Sequence, residues 1–300
     1  MAVVNKTGRV HARVQRRIYW LLCVPAGLVL LVIIGVPVGY TLYLGTRNYD
    51  LLNHLTTGSA GLDNYGRALK DSGLHMAILR TLVYVVITGL ADLALGFVQA
   101  LIVFSVRRWL GRVLKMIFIL PILLVPSAAA TFWAHIMYGP PFSQVNRILG
   151  IPLDLPILGD SRTAFIGLLV TVIWAWSPWS FILLSSGMQS LNRDPLEAAQ
   201  IDGANFWQRV RHVIWPMMMP VVFVTVVFKA VASLNTFAFP WAMTKGGPDH
   251  SSEVLATYIY NNSFTLLNFG YGSAQSILVL ILGMAAAWFA ARAVVRRSYV

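Results

Sequence analysis

Uncharged stretches set the plan of this chain. Residues 18–46, 116–146 and 163–192 contain no Asp, Glu, Lys or Arg, and each is longer than the about 20 mostly apolar residues that a membrane-spanning helix needs. Two further apolar stretches, one beginning after Arg80 and one at Pro216, are each interrupted by a single charge, Asp92 and Lys229. The last uncharged run, 254–291, is long enough to suggest two crossings, but its first half, TYIYNNSFTLLNFGYGSA, is rich in Asn, Ser and Gly. One span is predicted there. The expected fold is therefore all-α, a polytopic membrane protein with six transmembrane helices at 18–45, 78–106, 116–138, 164–191, 216–240 and 274–292. A basic tail, 1–17, precedes them, a polar loop, 192–215, lies between the fourth and fifth, and residues 78–292 form the core domain.

Composition agrees with this plan. The 300 residues are 57% hydrophobic and only 11% charged, against about 25% charged in soluble domains, and the mean hydropathy is +0.68. The net charge of +12 does not point to nucleic acid, because the basic residues sit at the ends of apolar runs and not on one water-exposed face. Cys23 is the single cysteine, which excludes intrachain disulfides and Cys-rich metal sites. The first apolar run is longer than a secretory h-region of about 7–15 residues, so an uncleaved anchor is expected.

Charge also orients the chain. Six spans place both termini on one side. That side collects fifteen Lys and Arg, in the N-terminal tail, at Arg107, Arg108, Arg112 and Lys115, in the 192–215 loop and at the C-terminus. The other side holds seven, among them Arg47, Arg67, Lys70 and Lys245, spread over longer loops. The positive-inside rule then puts both termini and the polar loop in the cytoplasm of a multi-pass cell-membrane protein.

The polar loop has its own punctuation. Asp194 is placed to cap a helix with Pro195 at its first position and Glu197 three residues after the cap. Gly203 should stop that helix, and Asn205 with Gln208 repeats the cap for a second helix that runs until Pro216 opens the fifth span. A bent pair of short helices is predicted. Ala198, Ala199 and Ala204 allow another surface to come close, with Glu197 and Asp202 offering charge at its edge. Capping alone explains Asp194, Glu197 and Gly203; it does not explain the order EAAQIDGA followed by Pro216 twelve residues beyond Ala204.

That order resembles the EAA loop of permease subunits of binding-protein-dependent ATP-binding-cassette (ABC) importers. Two flanking segments add to the resemblance. GLDNYGRAL, Gly61 to Leu69, is similar to the Gly-Leu-x-Asn-Tyr segment of sugar-importer permeases, and TKGGPDHSSEVLATYIY, Thr244 to Tyr260, to their Thr-Gly-Gly-Gly-Pro loop. Together they resemble the maltose-permease-F-like branch of the type I carbohydrate importers. The resemblance implies a type I permease fold and assigns Glu197, Ala198, Ala199, Asp202, Gly203 and Ala204 to coupling with an ATPase. It further implies as partners a second homologous permease, two copies of the ABC ATPase, an extracytoplasmic solute-binding protein, a sugar substrate and membrane lipid. ATP closure in the ATPases would switch the path between inward and outward access. The chain departs from the pattern at Val210, Val213 and Trp215, where relatives often have Phe, Ile and Leu, at Lys245 in place of a Gly, and at Ala238 in place of an Asp.

Charges within spans cost roughly 2.5–3.5 kcal/mol on insertion scales, so Asp92 and Lys229 need partners or water. Their similar depths allow them to pair with each other or to line the path. Trp176 and Phe237 belong to aromatic groups that suit the apolar faces of a sugar, and Asn235 adds a polar group, so Asp92, Trp176, Lys229, Asn235 and Phe237 are the candidate path residues. Packing and interfacial anchoring also account for the aromatics. Gly35 and Gly39 around Pro37 have the spacing of a helix-packing face.

Other classes fit less well. An ion-coupled secondary transporter would want broken spans in matching halves, and no internal repeat is visible. A membrane enzyme has no visible site, because the six His are scattered and no H-E-x-x-H or G-x-S-x-G pattern occurs. No G-x-x-x-x-G-K-[ST] phosphate loop is present. The chain is expected to bind no cofactor and no metal, with ATP hydrolysed by the partner subunit.

Overall fold

A computed structural model of the chain describes residues 23–53, 58–139, 147, 148, 150, 157–234 and 236–297. The chain forms two compact units, Ser72–Tyr258 and Met1–Asp71 with Ile259–Val300.

In the Ser72–Tyr258 unit the described helices are α3 (Ser72–Ser105), α4 (Arg108–Leu123), α5 (Pro126–Met137), α6 (Ala164–Gln189), α7 (Asp194–Ile201), α8 (Phe206–Ser233) and α9 (Ala238–Thr244). The helices α3, α6 and α8 are long and apolar enough to cross a membrane. Apolar surface between spans gains little from leaving lipid, so such helices associate through close packing and polar contacts. The α3–α6 interface, the largest in the unit, shows the close packing. A Cβ added at Gly96 of α3 would lie 2.8 Å from the Phe181 backbone nitrogen of α6. Only Gly lets the two backbones approach so far. Two apolar clusters fill the remaining space, one around Tyr84, Leu168 and Val172, the other around Phe97, Leu184, Met188 and Met218.

The run predicted as a single span over 116–138 is divided. The segments α4 and α5 meet at 95°. Val125 is extended there, at φ −60° and ψ 133°, because the following Pro126 disfavours the helical region for the residue before it. Pro121, in a tight 3-10 turn, loosens the end of α4 as well.

In the other unit, α1 (Cys23–Gly45) is strongly apolar, and its most apolar stretch is not buried among the described residues. It is followed by α2 (Asp63–Lys70). The stretch Asn261–Thr265 is a wide π turn, and α11 (Phe269–Arg297) is the last helix, while Leu255–Tyr260, here α10, carries the chain out of the larger unit. The C-terminal part of α1 packs on α11. Asn64 in the GLDNYGRAL segment donates to the Gly45 and Arg47 carbonyls at 3.1 and 3.0 Å. These bonds clamp the end of α1, which otherwise leaves carbonyls unsatisfied. The packing expected at Gly35 and Gly39 is not found among the described residues: a Cβ at Gly39 would meet nothing within 4 Å, and one at Gly35 only Leu31 of its own helix.

Candidate functional site

The candidate site residues fall in two places of the larger unit. The first is a polar stripe inside the helix bundle. Thr81, Tyr84, Thr88 and Asp92 recur at helical spacing on α3 and are all buried, so one face of an otherwise apolar span is polar. Asp92, fully buried, forms an ion pair with Lys229 of α8, which is 5% exposed. Lys229 Nζ also lies 5.4 Å from the ring centroid of Trp176, a cation–π geometry that further offsets the loss of water around the ammonium. Beside this pair lies a cavity of about 110 Å³ lined by Tyr84, Trp176, Lys229, Ser233, Thr236 and Phe237 among others. Asp92 does not line it. The Tyr84 and Thr236 hydroxyls are hydrogen-bonded at 2.9 Å, and Phe237 stacks on Trp241 with centroids 5.7 Å apart and an interplanar angle of 15°. Of the five candidate path residues, Trp176, Lys229 and Phe237 line the cavity, and Asn235 falls outside the described residues. Tyr84 and Thr236 were not anticipated. The signal for Tyr84 was present: it stands eight residues, about two turns, before Asp92, and so shares its face.

The second place is the polar loop. Helix α7 begins at Asp194, with Arg193 in the cap position and no side-chain cap bond. This corrects the assignment of Asp194 as the cap. Asn192 holds the entry, its Oδ1 accepting from the Asp194 backbone N–H at 3.2 Å and its Nδ2 donating to the Asp194 carboxylate at 3.2 Å. The helix ends at Ile201, and Gly203 turns the chain with φ +78°, a left-handed conformation in which L side chains are strained. Asn205 and Gln208 form a reciprocal capping box, with bonds of 2.8 and 2.9 Å.

The helix so started does not stop at Pro216. It runs on as α8 from Phe206 to Ser233, so the expected second short helix is the first part of the fifth span. A wide π turn over Val210–Ile214 ends two residues before Pro216. Its longer hydrogen-bonded ring gives the proline ring room and accommodates the missing donor.

Glu197, Ala198, Asp202 and Gly203 are exposed, and Ala199 and Ala204 are half-buried. In the same loop Ile201 is 87% exposed and Trp207 71% exposed, large apolar side chains in a segment that its composition marks as polar. On the inner side, Leu196 and Val210 pack against the cluster of Phe97, Leu184, Met188 and Met218. A force applied to the exposed face of α7 therefore reaches α3, α6 and α8 through packed side chains.

Four helices, α1, α3, α6 and α8, are long and apolar enough to cross a membrane, and the bent pair α4 and α5 would make a fifth. The sequence profile described as the inner membrane component of binding-protein-dependent transport systems matches residues 92–298. The chain belongs to that family. The permease is similar to the sulfoquinovosyl glycerol transport system permease protein SmoG of Agrobacterium fabrum, with 31% identity over 267 residues, 88% of this chain and 86% of the relative. It is also similar to the sn-glycerol-3-phosphate transport system permease protein UgpA of the same organism, at 29% identity over 93% of this chain and 95% of that one. The trehalose transport system permease protein SugA of Mycobacterium tuberculosis matches at 28% over 93% and 88%. In fold, the permease matches a chain of a bacterial ABC transporter that imports alginate, with a TM-score of 0.78, 20% identity and coverage of 95% and 97%.

Proposed function

We propose that this permease is one transmembrane subunit of an ATP-driven importer for a sugar or sugar-like solute, that it forms the path with a second permease, and that the 192–215 loop couples it to a separate ATPase. The similarity to permeases named for sulfoquinovosyl glycerol, glycerol phosphate and trehalose, over about nine-tenths of the chain, carries the solute class. The cavity's chemistry supports it: Trp176 and Phe237 offer apolar faces to a sugar ring, while Lys229, Ser233 and Thr236 offer polar groups to its hydroxyls.

Its size bears on the second subunit. A volume of about 110 Å³ is that of about four waters at about 30 Å³ each, and ligand pockets are commonly about 300–1,000 Å³. A sugar needs more room than this cavity offers, which favours a path completed by another chain. The exposed Ile201, Glu197 and Ala198, anchored through Leu196, supply an apolar contact rimmed by charge for an ATPase. An extracytoplasmic solute-binding protein belongs to the proposal. A solved transporter of the same fold was obtained in complex with an alginate pentasaccharide-bound periplasmic protein. Both termini and the loop are assigned to the cytoplasm on charge. This chain binds no cofactor in the proposed scheme, and ATP is hydrolysed by the partner.

The test is uptake of labelled mono- and disaccharides and glycerol phosphate into proteoliposomes holding the assembled complex. Uptake that requires both ATP and the binding protein is expected. Uptake driven by an ion gradient without ATP would replace this reading with a secondary transporter.

A further inference from the structure

A second cavity is several times larger than the one beside the ion pair. It has a volume of about 940 Å³ and lies where the end of α3, the start of α4, the end of α6, α7 and the start of α8 converge. Five cationic side chains, Arg108, Arg112, Lys115, Arg193 and Arg209, line it with a single carboxylate, Glu197. None of them is in an ion pair among the described residues. Arg209 Nε is buried without a hydrogen-bond partner, while its Nη1 donates to Gln200 at 3.3 Å. Five cations against one carboxylate repel one another, and a buried N–H donor left unpaired is costly, so the cavity calls for an anion.

Its surroundings specify which kind. The cavity wall also includes the apolar Val103, Phe104 and Ile214. Helix α4 turns Arg108, Arg112 and Lys115 to the cavity and carries Trp109, Val113, Met116 and Ile117 on its other side, exposed at 60%, 44%, 69% and 51%. A helix with an exposed apolar stripe and a cationic face lies at a membrane interface, where Trp is favoured. A small soluble anion would need the cations and not the apolar wall beside a lipid-facing stripe. An amphiphile uses both.

We propose that this cavity holds the phosphate headgroup of an anionic phospholipid, with Arg and Lys paired to the phosphate and the glycerol end of the chains against Phe104 and Ile214. Basic pockets between spans on the cytoplasmic side recognise such headgroups, and Arg binds phosphate in a fixed two-pronged geometry. The proposal rests on the topology given above only for the choice of leaflet. A lipid seated here would brace α4 against α7, next to the coupling loop.

The test is lipid retention by the full chain, co-purified with its partner subunits in mild detergent and incubated with labelled phosphatidylglycerol or phosphatidylcholine. Phosphatidylglycerol should be retained in clear preference. At about 1 kcal/mol per basic residue, Arg112→Gln with Lys115→Gln should weaken retention roughly thirtyfold, while Arg112→Lys with Lys115→Arg should retain most of it. Equal retention of the two lipids by the unaltered chain would overturn the proposal even if the neutral variant failed to insert. So would displacement by millimolar inorganic phosphate, which would identify a free-phosphate site, or retention only once the ATPase has been stripped away, which would assign the cations to an acidic surface of that subunit. The measurement needs no solute and no ATP hydrolysis, so its outcome is separate from that of the transport assay.

Discussion

Lys229 reaches from α8 to Asp92 at the middle of α3, and the two form the ion pair between spans among the described residues. Both side chains are buried, so removing one partner strands the other in a setting of low dielectric, a change that typically costs about 3–5 kcal/mol, whereas replacing both by uncharged groups is often neutral. Asp92→Asn and Lys229→Met should each lower the amount of folded protein in the membrane severalfold, and the double variant should recover much of it. Immunoblots of membranes and thermal unfolding in detergent read this. A double variant no more abundant than the worse single would exclude a structural role for the pair.

The transport assay separates a second property of the same residues. Lys229 lines the small cavity and Asp92 does not. The double variant should therefore be well folded yet poor in solute uptake. If it transports like the unaltered chain, Lys229 is outside the path.

The long apolar helices α1, α3, α6 and α8 were legible because a bilayer imposes one length on every helix that crosses it, and long apolar runs show that length directly. What escaped depended on contacts between distant positions. The Tyr84–Thr236 bond joins residues 152 apart in sequence, and only its α3 half could be read from the register of Tyr84, Thr88 and Asp92. Pro216 reads as a helix start in sequence, since proline favours that position; the π turn before it removes the conflict, and no residue pattern announces such a turn. Pro126, by contrast, did carry the information for the 95° bend, through its effect on Val125. In the loop, the order of Ala and Gly showed the surface, but the exposure of Ile201 and Trp207 required knowing which side of α7 packs on the bundle.

Coupling should be sensitive to the turn at Gly203. A Cβ there meets nothing within 4 Å, but φ is +78°, so Gly203→Asp should cost about 1–2 kcal/mol of local backbone strain without displacing a neighbour. The variant should insert normally and lose ATPase co-purification. Ile201→Asp, at an exposed position in regular helix, should lose it without the backbone cost, and Glu197→Ala should show a milder loss. Normal co-purification and transport in both Gly203→Asp and Ile201→Asp would remove the loop from the interface.

Topology can be read by labelling. Lys70 and Trp207 are both exposed and are assigned to opposite sides of the membrane. In a Cys23→Ala background, Lys70→Cys should react with an impermeant thiol reagent added outside intact cells, and Trp207→Cys should react only after the membrane is opened. The reverse pattern would turn the chain over and detach the loop from any cytoplasmic ATPase.

Outside the membrane, Asp50 supplies a pH dependence. The Asn53 side chain and backbone donate to its carboxylate, at 2.9 and 3.1 Å, and hold its pKa below the ordinary value of 3.8. A carboxyl depressed in the folded state contributes stability that is present above its ordinary value and lost as pH falls through the lower folded value. Hydrogen exchange at residues 47–53 should therefore accelerate as pH drops below about 4 beyond the intrinsic trend, and Asp50→Asn should flatten that extra response. An unchanged profile in the variant would show that another group controls the acid sensitivity.

Two glycines on α3 should respond in opposite directions to the same substitution. Gly96→Ala places a Cβ 2.8 Å from the Phe181 nitrogen and 2.7 Å from Ser180 Cβ, so α3 and α6 must separate. Overpacking of this kind typically costs about 1–3 kcal/mol, and here it also moves the helix that carries Asp92. Gly89, seven residues earlier, has nothing within 4 Å of an added Cβ. Its replacement by Ala removes only the conformational penalty of Gly in a helix, a gain of up to about 1 kcal/mol. Thermal unfolding of the two variants in the same detergent should show a lower midpoint for Gly96→Ala and an equal or higher one for Gly89→Ala. Equal midpoints would mean that the close approach of α3 to α6 is not what limits the stability of this unit.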